Sequence, residues 1–316
     1  MDGQRRISVV IRAFNESAHI GRLLQGLSQQ TIKPDQVIVV DSGSTDNTVD
    51  IASTAGCAIV HIEKSDFSFG RALNLGCSES LHEVIVILSA HVYPVYDTYL
   101  EKLVKAFDHP GVGIVYGRQV GDQRTRFSES RIMLKWFPAK NVWDQGHPFS
   151  NNANAAILKA LWQHQTYDES LTGLEDLEFA KRALALGHKV AYVADSPVVH
   201  VHEESWNNIR NRYRREAVAY SRIIDGSKMS LLKAIGLMLA NIALDYFHSL
   251  KSHNRLKNFS SIPFFRSAQF FGAWQGFNKS DDISGRLLNR FYYPSRPATR
   301  STDAQLGNEI QYSGGQ

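Results

Sequence analysis

Four consecutive β-formers, Val37-Ile38-Val39-Val40, end in Asp41 and run into Ser42-Gly43-Ser44-Thr45-Asp46-Asn47-Thr48. An unbroken apolar run closed by turn residues is the pattern of a strand buried on both faces, as parallel sheets with helical crossovers require. A helix start follows, with Ser44 or Asp46 as the natural N-cap. An acid at the C-terminal tip of such a strand stands where open α/β sheets bind ligands, placed to accept hydrogen bonds from a ribose or a base. Taken alone, Asp41 fits equally well an acid that only caps the helix.

The same alternation continues along the chain. Strands are expected at 7–13, 36–41, 58–62, 84–88 and 113–117, and helices near 18–30, 47–55, 70–80 and 98–107. Strand and helix in turn predict a mostly parallel, doubly wound sheet. Short strands follow at 154–158 and 189–194, and a helix at 174–186. The segment 118–150, rich in Arg, aromatics and Pro, reads as a mobile loop with a short helix over an acceptor site. A length of 316 residues allows one large α/β domain with an appendage. The two cysteines, Cys57 and Cys77, make neither a disulfide framework nor a metal spacing. With no signal peptide in view, they read as small core residues in a reducing cytoplasm.

Charge divides the chain. Residues 1–204 carry 19 Lys and Arg against 24 Asp and Glu, whereas residues 205–316 carry 16 against 7. The C-terminal part is therefore expected to meet something anionic. Nucleic acid is set aside, because no zinc spacing and no aromatic RNA-binding signature accompanies the charge. The helix at 207–221 carries Arg210, Arg212, Arg214 and Arg215. Residues 230–250 form a very apolar helix interrupted by Lys233, Asn241 and Asp245 on one side, followed by an aromatic stretch over 262–278. This pattern suits an amphipathic helix, lying in an anionic membrane interface or packed on the domain or a second copy, better than a spanning one. The expected division is 1–220 for the nucleotide-binding and catalytic domain, 221–294 for the helical region, and 295–316 for a polar, disordered tail.

Beyond Asp41, four motifs recur in order. Ile7-Ser8-Val9-Val10-Ile11-Arg12-Ala13-Phe14-Asn15-Glu16 is strand then loop, and Gly70-Arg71-Ala72-Leu73-Asn74-Leu75-Gly76 opens a helix. The strand Val84–Leu88 ends in Ser89-Ala90-His91, and Gly173-Leu174-Glu175-Asp176 opens another helix. Over roughly residues 7–220 this set resembles the family-2 inverting glycosyltransferases of the GT-A fold, and the segment Pro148–Ile157 resembles bacterial rhamnosyl-type surface-polysaccharide transferases. The resemblance implies a GT-A, Rossmann-like α/β sheet flanked by helices, with a C-terminal helical appendage. It implies transfer of a sugar from a nucleotide-diphosphate donor to a glycan or polyprenyl-diphosphate-linked acceptor; the basic, apolar and aromatic residues of 205–290 separately predict a cytoplasmic protein peripheral to the inner face of the plasma membrane. Ala13, Asn15, Glu16, Asp41, Arg71, Ser89 and His91 are then donor-binding candidates; Asn152 and Asn154 either contact the sugar or only form the turn, and Trp143 either stacks on an acceptor sugar or belongs to the core.

An inverting transfer needs a carboxylate that takes the acceptor proton. The resemblance puts it in the Glu175-Asp176 pair, with Asp176 as base and Glu175 orienting; acids in a first helical turn also simply complement the helix dipole. The family pattern also has Asp-x-Asp at the end of the fourth strand, for a Mn²⁺ or Mg²⁺ ion that neutralises the diphosphate. Both acids are missing from Ser89-Ala90-His91, so His91, with His200 and His202, becomes the candidate metal set. Two other readings stay open: a nucleotide-sugar-binding module without catalysis, and a nucleotidyltransferase, which would need a Gly-rich basic loop that Arg12–Glu16 does not provide.

Overall fold

A computed structural model describes residues 5–201, 204–224, 228–250, 255–278 and 307–312. Its strands are β1 (Ile7–Ala13), β2 (Gln36–Asp41), β3 (Ala58–His61), β4 (Val84–Ser89), β5 (Val92–Pro94), β6 (Val112–Val120), β7 (Asn154–Leu158) and β8 (Lys189–His200). They form one sheet in the order β3-β2-β1-β4-β7-β6-β8-β5. β3, β2, β1 and β4 are mutually parallel, as are β6 and β8, while β7 and β5 run antiparallel to their neighbours. The sheet is therefore mixed, with the parallel part that the alternation predicts in its first half.

Helices α1 (Ile20–Ser28), α2 (Thr48–Thr54), α3 (Phe69–Glu79) and α4 (Tyr99–Lys105) make the crossovers of the first half. α5 (Phe127–Trp136), α6 (Lys159–His164) and α7 (Glu175–Ala185) follow in the second. Val9, Ile11, Val86 and Leu88 face one core with Ile20 and Leu23, while Val10, Ile85 and Ile87 face the other with Leu73 and Phe179. Alternate residues of one strand thus enter opposite cores, which is why β1 and β4 are apolar throughout. Each such side chain contributes roughly 1.5–3 kcal/mol of burial. α3 lies close on β1 because Gly76 leaves room: a Cβ there would sit 2.3 Å from Val10.

The strand expected at 189–194 extends to His200 as β8. Its register against β6 jumps from Gly117↔Val193 to Gln119↔Val198, and the extra residues bulge at Asp195-Ser196-Pro197. A proline is tolerated there because the bulge needs no ladder donor.

Helices α8 (Trp206–Ile223), α9 (Leu231–Ser249) and α10 (Arg255–Phe277) build a third core in which Tyr220, Leu237, Phe270 and Phe277 pack with Leu171 and Leu177, just before and within α7. The expected boundary at 220 falls inside α8. The Arg-rich helix is also less open than its composition predicts: Arg212 is drawn inward by Glu129 at 3.0 Å and Glu204 at 2.7 Å. The expectation of a free tail is corrected for residues 307–312. The Asn308 backbone N–H donates to Asp97 Oδ1 at 2.9 Å, Ile310 is buried and pairs with Val95, and Tyr312 O–H donates to the Pro94 carbonyl. The rest of 295–316 lies outside the described residues.

Candidate active site

Strand register places the candidates. Ala13 pairs with Asp41 across β1 and β2, Arg12 with Ser89 across β1 and β4, and Leu88 with Asn154 across β4 and β7. Because β7 runs the other way, its first residues stand beside the last residues of β4, and Ser89 N–H donates to the Ala153 carbonyl at 3.5 Å. Asp41, Arg12, Ser89 and the turn before β7 thus line one edge of the sheet. That edge is where the strands of an open α/β sheet present their C-terminal ends.

The turn after β2 is held from both sides. Asp41 is buried and accepts from the backbone N–H of Gly43 and Ser44, both at 3.1 Å. Asn15 has φ of 54°, in the left-handed region that asparagine tolerates. Its N–H donates to Ser44 Oγ and its side-chain oxygen accepts from Thr45 N–H, each at 2.8 Å. Neither proposed cap closes α2; Asn47 occupies that position without a side-chain bond. Asp46 instead accepts from the N–H of Ser17 and of Thr48. With the Thr48 hydroxyl first among its partners, these bonds hold its carboxyl well below the usual range. Asp46 therefore ties the two loops together.

Glu175 and Asp176 open α7 after Leu174, whose φ is 55°. A leucine in that region is strained by roughly 1–2 kcal/mol, and such strain is held where surrounding contacts require it. Glu175 is buried; its Oε1 accepts from Arg12 at 3.2 Å and from Asn152 Nδ2 at 3.3 Å. Asp176 accepts from Leu177 N–H at 2.8 Å and from Asn152 N–H at 3.2 Å. Burial first, and the adjacent Glu175 charge second, push Asp176 up to about 7 against these bonds and Arg12. Two adjacent carboxylates therefore differ: Glu175 is tied to a guanidinium, whereas the Asp176 carboxyl is raised toward neutrality.

His91 and Glu16 meet at 2.7 Å between Nδ1 and Oε1. The His200 ring stacks on His91 with centroids 5.0 Å apart, and its Nδ1 meets Gln119 Oε1 at 2.6 Å. His202 lies outside the described residues. Among the described residues no three His, Cys, Asp or Glu side chains converge as a metal cage. Glu16 and His91 are spent on one another, and Ser89 replaces the first acid of the family pattern. This donor set does not fit a metal held in the Asp-x-Asp manner.

Some candidates are not brought to the site. Asn154 is fully buried: it accepts from Tyr99 O–H at 2.8 Å and donates to the carbonyls of Arg118 and Ser196 at 3.0 and 3.1 Å. Its amide is used up bracing the sheet, which corrects its reading as a sugar contact. Trp143 stacks on His109 with centroids 4.0 Å apart, beside the first residues of β6 and β8 and so at the opposite edge. That corrects its reading as an acceptor platform. Arg71 is half exposed, 3.8 Å from Asp66 and 3.9 Å from Glu169.

Several residues of this edge escape sequence reading. The Phe69 ring lies under two guanidiniums, Arg12 at 5.1 Å and Arg215 of α8 at 4.7 Å. Tyr167 stacks on Phe179 and its O–H reaches Asn152 Oδ1 at 3.5 Å. A mainly apolar cavity of about 180 Å³ is lined by Trp136, Phe149, Asn151, Leu174, Tyr220 and Phe277, among others. Long-range pairings built these features, and no local spacing announces them.

Comparison with known proteins agrees with this architecture. The family described as Glycosyl transferase family 2 matches residues 8–164. The chain is 28% identical over 226 residues to the O-antigen chain rhamnosyltransferase RfbN of Salmonella typhimurium, a match covering 66% of this chain and 70% of that protein. It is 25% identical over 219 residues to the O-antigen chain rhamnosyltransferase WbaN of Salmonella anatum, covering 65% and 69%. The mannosyltransferase PcManGT from Pyrobaculum calidifontis, solved with GDP-Man and Mn²⁺, superposes with a TM-score of 0.60 at 19% identity, over 87% of this chain and 88% of that one. At that identity the likeness is one of fold. Together with the family match and the ordered motifs, it places this chain in glycosyltransferase family 2, with the GT-A fold.

Proposed function

We propose that this chain is an inverting transferase that moves a sugar from a nucleotide-diphosphate donor to a glycan carried on a polyprenyl diphosphate. Rhamnose is the first sugar to test, because RfbN and WbaN are named rhamnosyltransferases. The observation that carries the reading is the split between the two carboxylates at the start of α7. Glu175 is neutralised by Arg12, while Asp176 is raised to about 7 and keeps lone pairs beyond its two backbone bonds. In a single displacement the acceptor oxygen attacks the anomeric carbon, its proton passes to Asp176, and the bond to the β-phosphate oxygen breaks. The Asp41 turn and the Asn15–Glu16 loop receive the nucleoside. Arg12, His91 and the exposed Arg71 are the groups that meet the diphosphate. The aromatic cavity beside Leu174 and Asn151 takes the acceptor side, because its walls suit the apolar faces of a sugar or lipid.

Nucleotide-diphosphate release from a panel of sugar donors, with and without lipid-linked glycan, tests the reading. Acceptor-dependent release with inversion at the anomeric carbon is expected. Specific donor binding without turnover would leave a binding module instead.

The metal dependence should be unusual. With Ser89-Ala90-His91 in place of two acids, activity is expected to fall by less than about tenfold in mild chelator, where loss of a diphosphate-neutralising ion normally removes several kcal/mol of stabilisation. A dead apo enzyme restored by stoichiometric Mn²⁺ would contradict this and turn attention to Glu16 and His91 as ligands.

A further inference from the structure

α9 is amphipathic in the reverse sense. Its packed face runs through Ala234, Leu237, Asn241, Asp245 and Ser249, all buried, so three of five inward residues are polar. Its outer face runs through Leu232, Leu239, Phe247 and Leu250, which are 83, 57, 66 and 60% exposed. Gly236 and Ala243 fill the gaps between them and are exposed as well. The spacing of four, three, four, four and three residues makes one continuous stripe on a helix. A helix on a water-facing surface shows the opposite arrangement.

The polar side is fully used by protein. Asp245 receives a two-pronged bond from Arg266 of α10, at 2.8 and 3.1 Å, and a hydrogen bond from Ser128 of α5 at 2.7 Å. Exposed rings of α10 add to the apolar stripe: Tyr246 of α9 meets Phe259, with centroids 5.4 Å apart, and Phe264 meets Trp206 of α8 at 5.8 Å. Contiguous apolar surface of this kind marks an interaction site. The charge of the C-terminal sequence chooses the occupant: residues 205–316 carry 16 basic against 7 acidic residues, and among the described residues Lys233 is exposed on α9 itself. Basic charge beside an apolar helical stripe with aromatic residues is the composition that an anionic lipid interface takes up.

We propose that the outer face of α9 and α10 lies in the headgroup layer of an anionic membrane, with the helices parallel to its plane. This extends the proposed lipid-borne acceptor to the surface that carries it. By length and composition α9 could also cross a bilayer. Crossing would strip it from α5 and α10 and separate Asp245 from Arg266, whereas lying flat keeps both and leaves the apolar stripe for lipid.

Flotation of the full chain with phosphatidylglycerol and with phosphatidylcholine vesicles tests this. The protein is expected to float with the anionic vesicles at low salt and to be released by high salt. The double variant L239E/F247E should lose more than about tenfold of the bound fraction while keeping its melting temperature and its donor turnover. Protein that stays at the bottom with both vesicles overturns the proposal. So does a lipid-free dimer that the double variant converts to monomer, which would show a second copy on this face. Retention through an alkaline wash would replace the interfacial helix with a spanning one. Floating without nucleotide-sugar turnover would leave this inference standing and remove the proposed reaction.

Discussion

Asp176→Asn is expected to lower kcat by roughly 10²–10⁴-fold, the range for losing a positioned general base, while leaving donor binding intact. The substitution keeps the shape and one acceptor oxygen, so one of the two backbone bonds, from Leu177 N–H to Oδ1 or from Asn152 N–H to Oδ2, is kept and the other is lost. It also removes a charge that the folded chain resists. The Asp176 carboxyl is raised from an ordinary 3.8 to about 7, so the folded protein holds this proton at pH values where the unfolded chain has lost it. Wild-type stability therefore falls as pH rises from about 4 to about 7, with no further loss from this group above that. The variant should be more stable than wild type by about 1–3 kcal/mol at pH 8, with the advantage shrinking toward pH 4. Thermal melts across pH, with and without nucleotide diphosphate, check both halves. Near-normal turnover would move the base elsewhere, and a variant destabilised at pH 8 would show that the ionised Asp176 carboxylate is well solvated and its carboxyl not raised.

The second large effect belongs to α9. Asp245→Ala is expected to destabilise the protein by about 3–5 kcal/mol, because it leaves Arg266 buried without its carboxylate. Arg131 depends on the same charge: burial lowers its affinity for the proton and Asp245 raises it. Asp245→Leu combined with Arg266→Met should recover most of the loss, since a matched apolar pair removes both buried charges. Denaturant unfolding of the single and double variants measures the coupling. A single variant within about 0.5 kcal/mol of wild type would show that water already solvates the pair.

Strand runs, crossover helices and the Glu175-Asp176 helix start were legible because local pattern decides them. A strand buried on both faces has to be apolar throughout, and two acids at a helix start are stable wherever the helix lies. The misread residues share a different cause. Asn154 sits in a turn-like run of amides, yet strand pairing buries it at the start of a central strand, where Tyr99 and two carbonyls consume its amide. Trp143 has the chemistry of a sugar platform, but its position follows from the Val142↔Tyr192 bridge at the wrong edge. Periodicity in α9 shows which residues share a face and not which face meets protein. That choice comes from Arg266 and Ser128, distant in the chain. The Glu16–His91 contact joins two loops 75 residues apart and has no local signature.

The pH dependence of kcat tests the central assignment most directly, because it reports the protonation of the base in the substrate complex. With saturating nucleotide-sugar and acceptor, kcat should rise about tenfold per pH unit below about 7 and level off above it, following Asp176. A kcat that is flat from pH 5 to pH 8, at about the wild-type plateau, would contradict a carboxylate raised by burial and by Glu175 as the group that takes the acceptor proton.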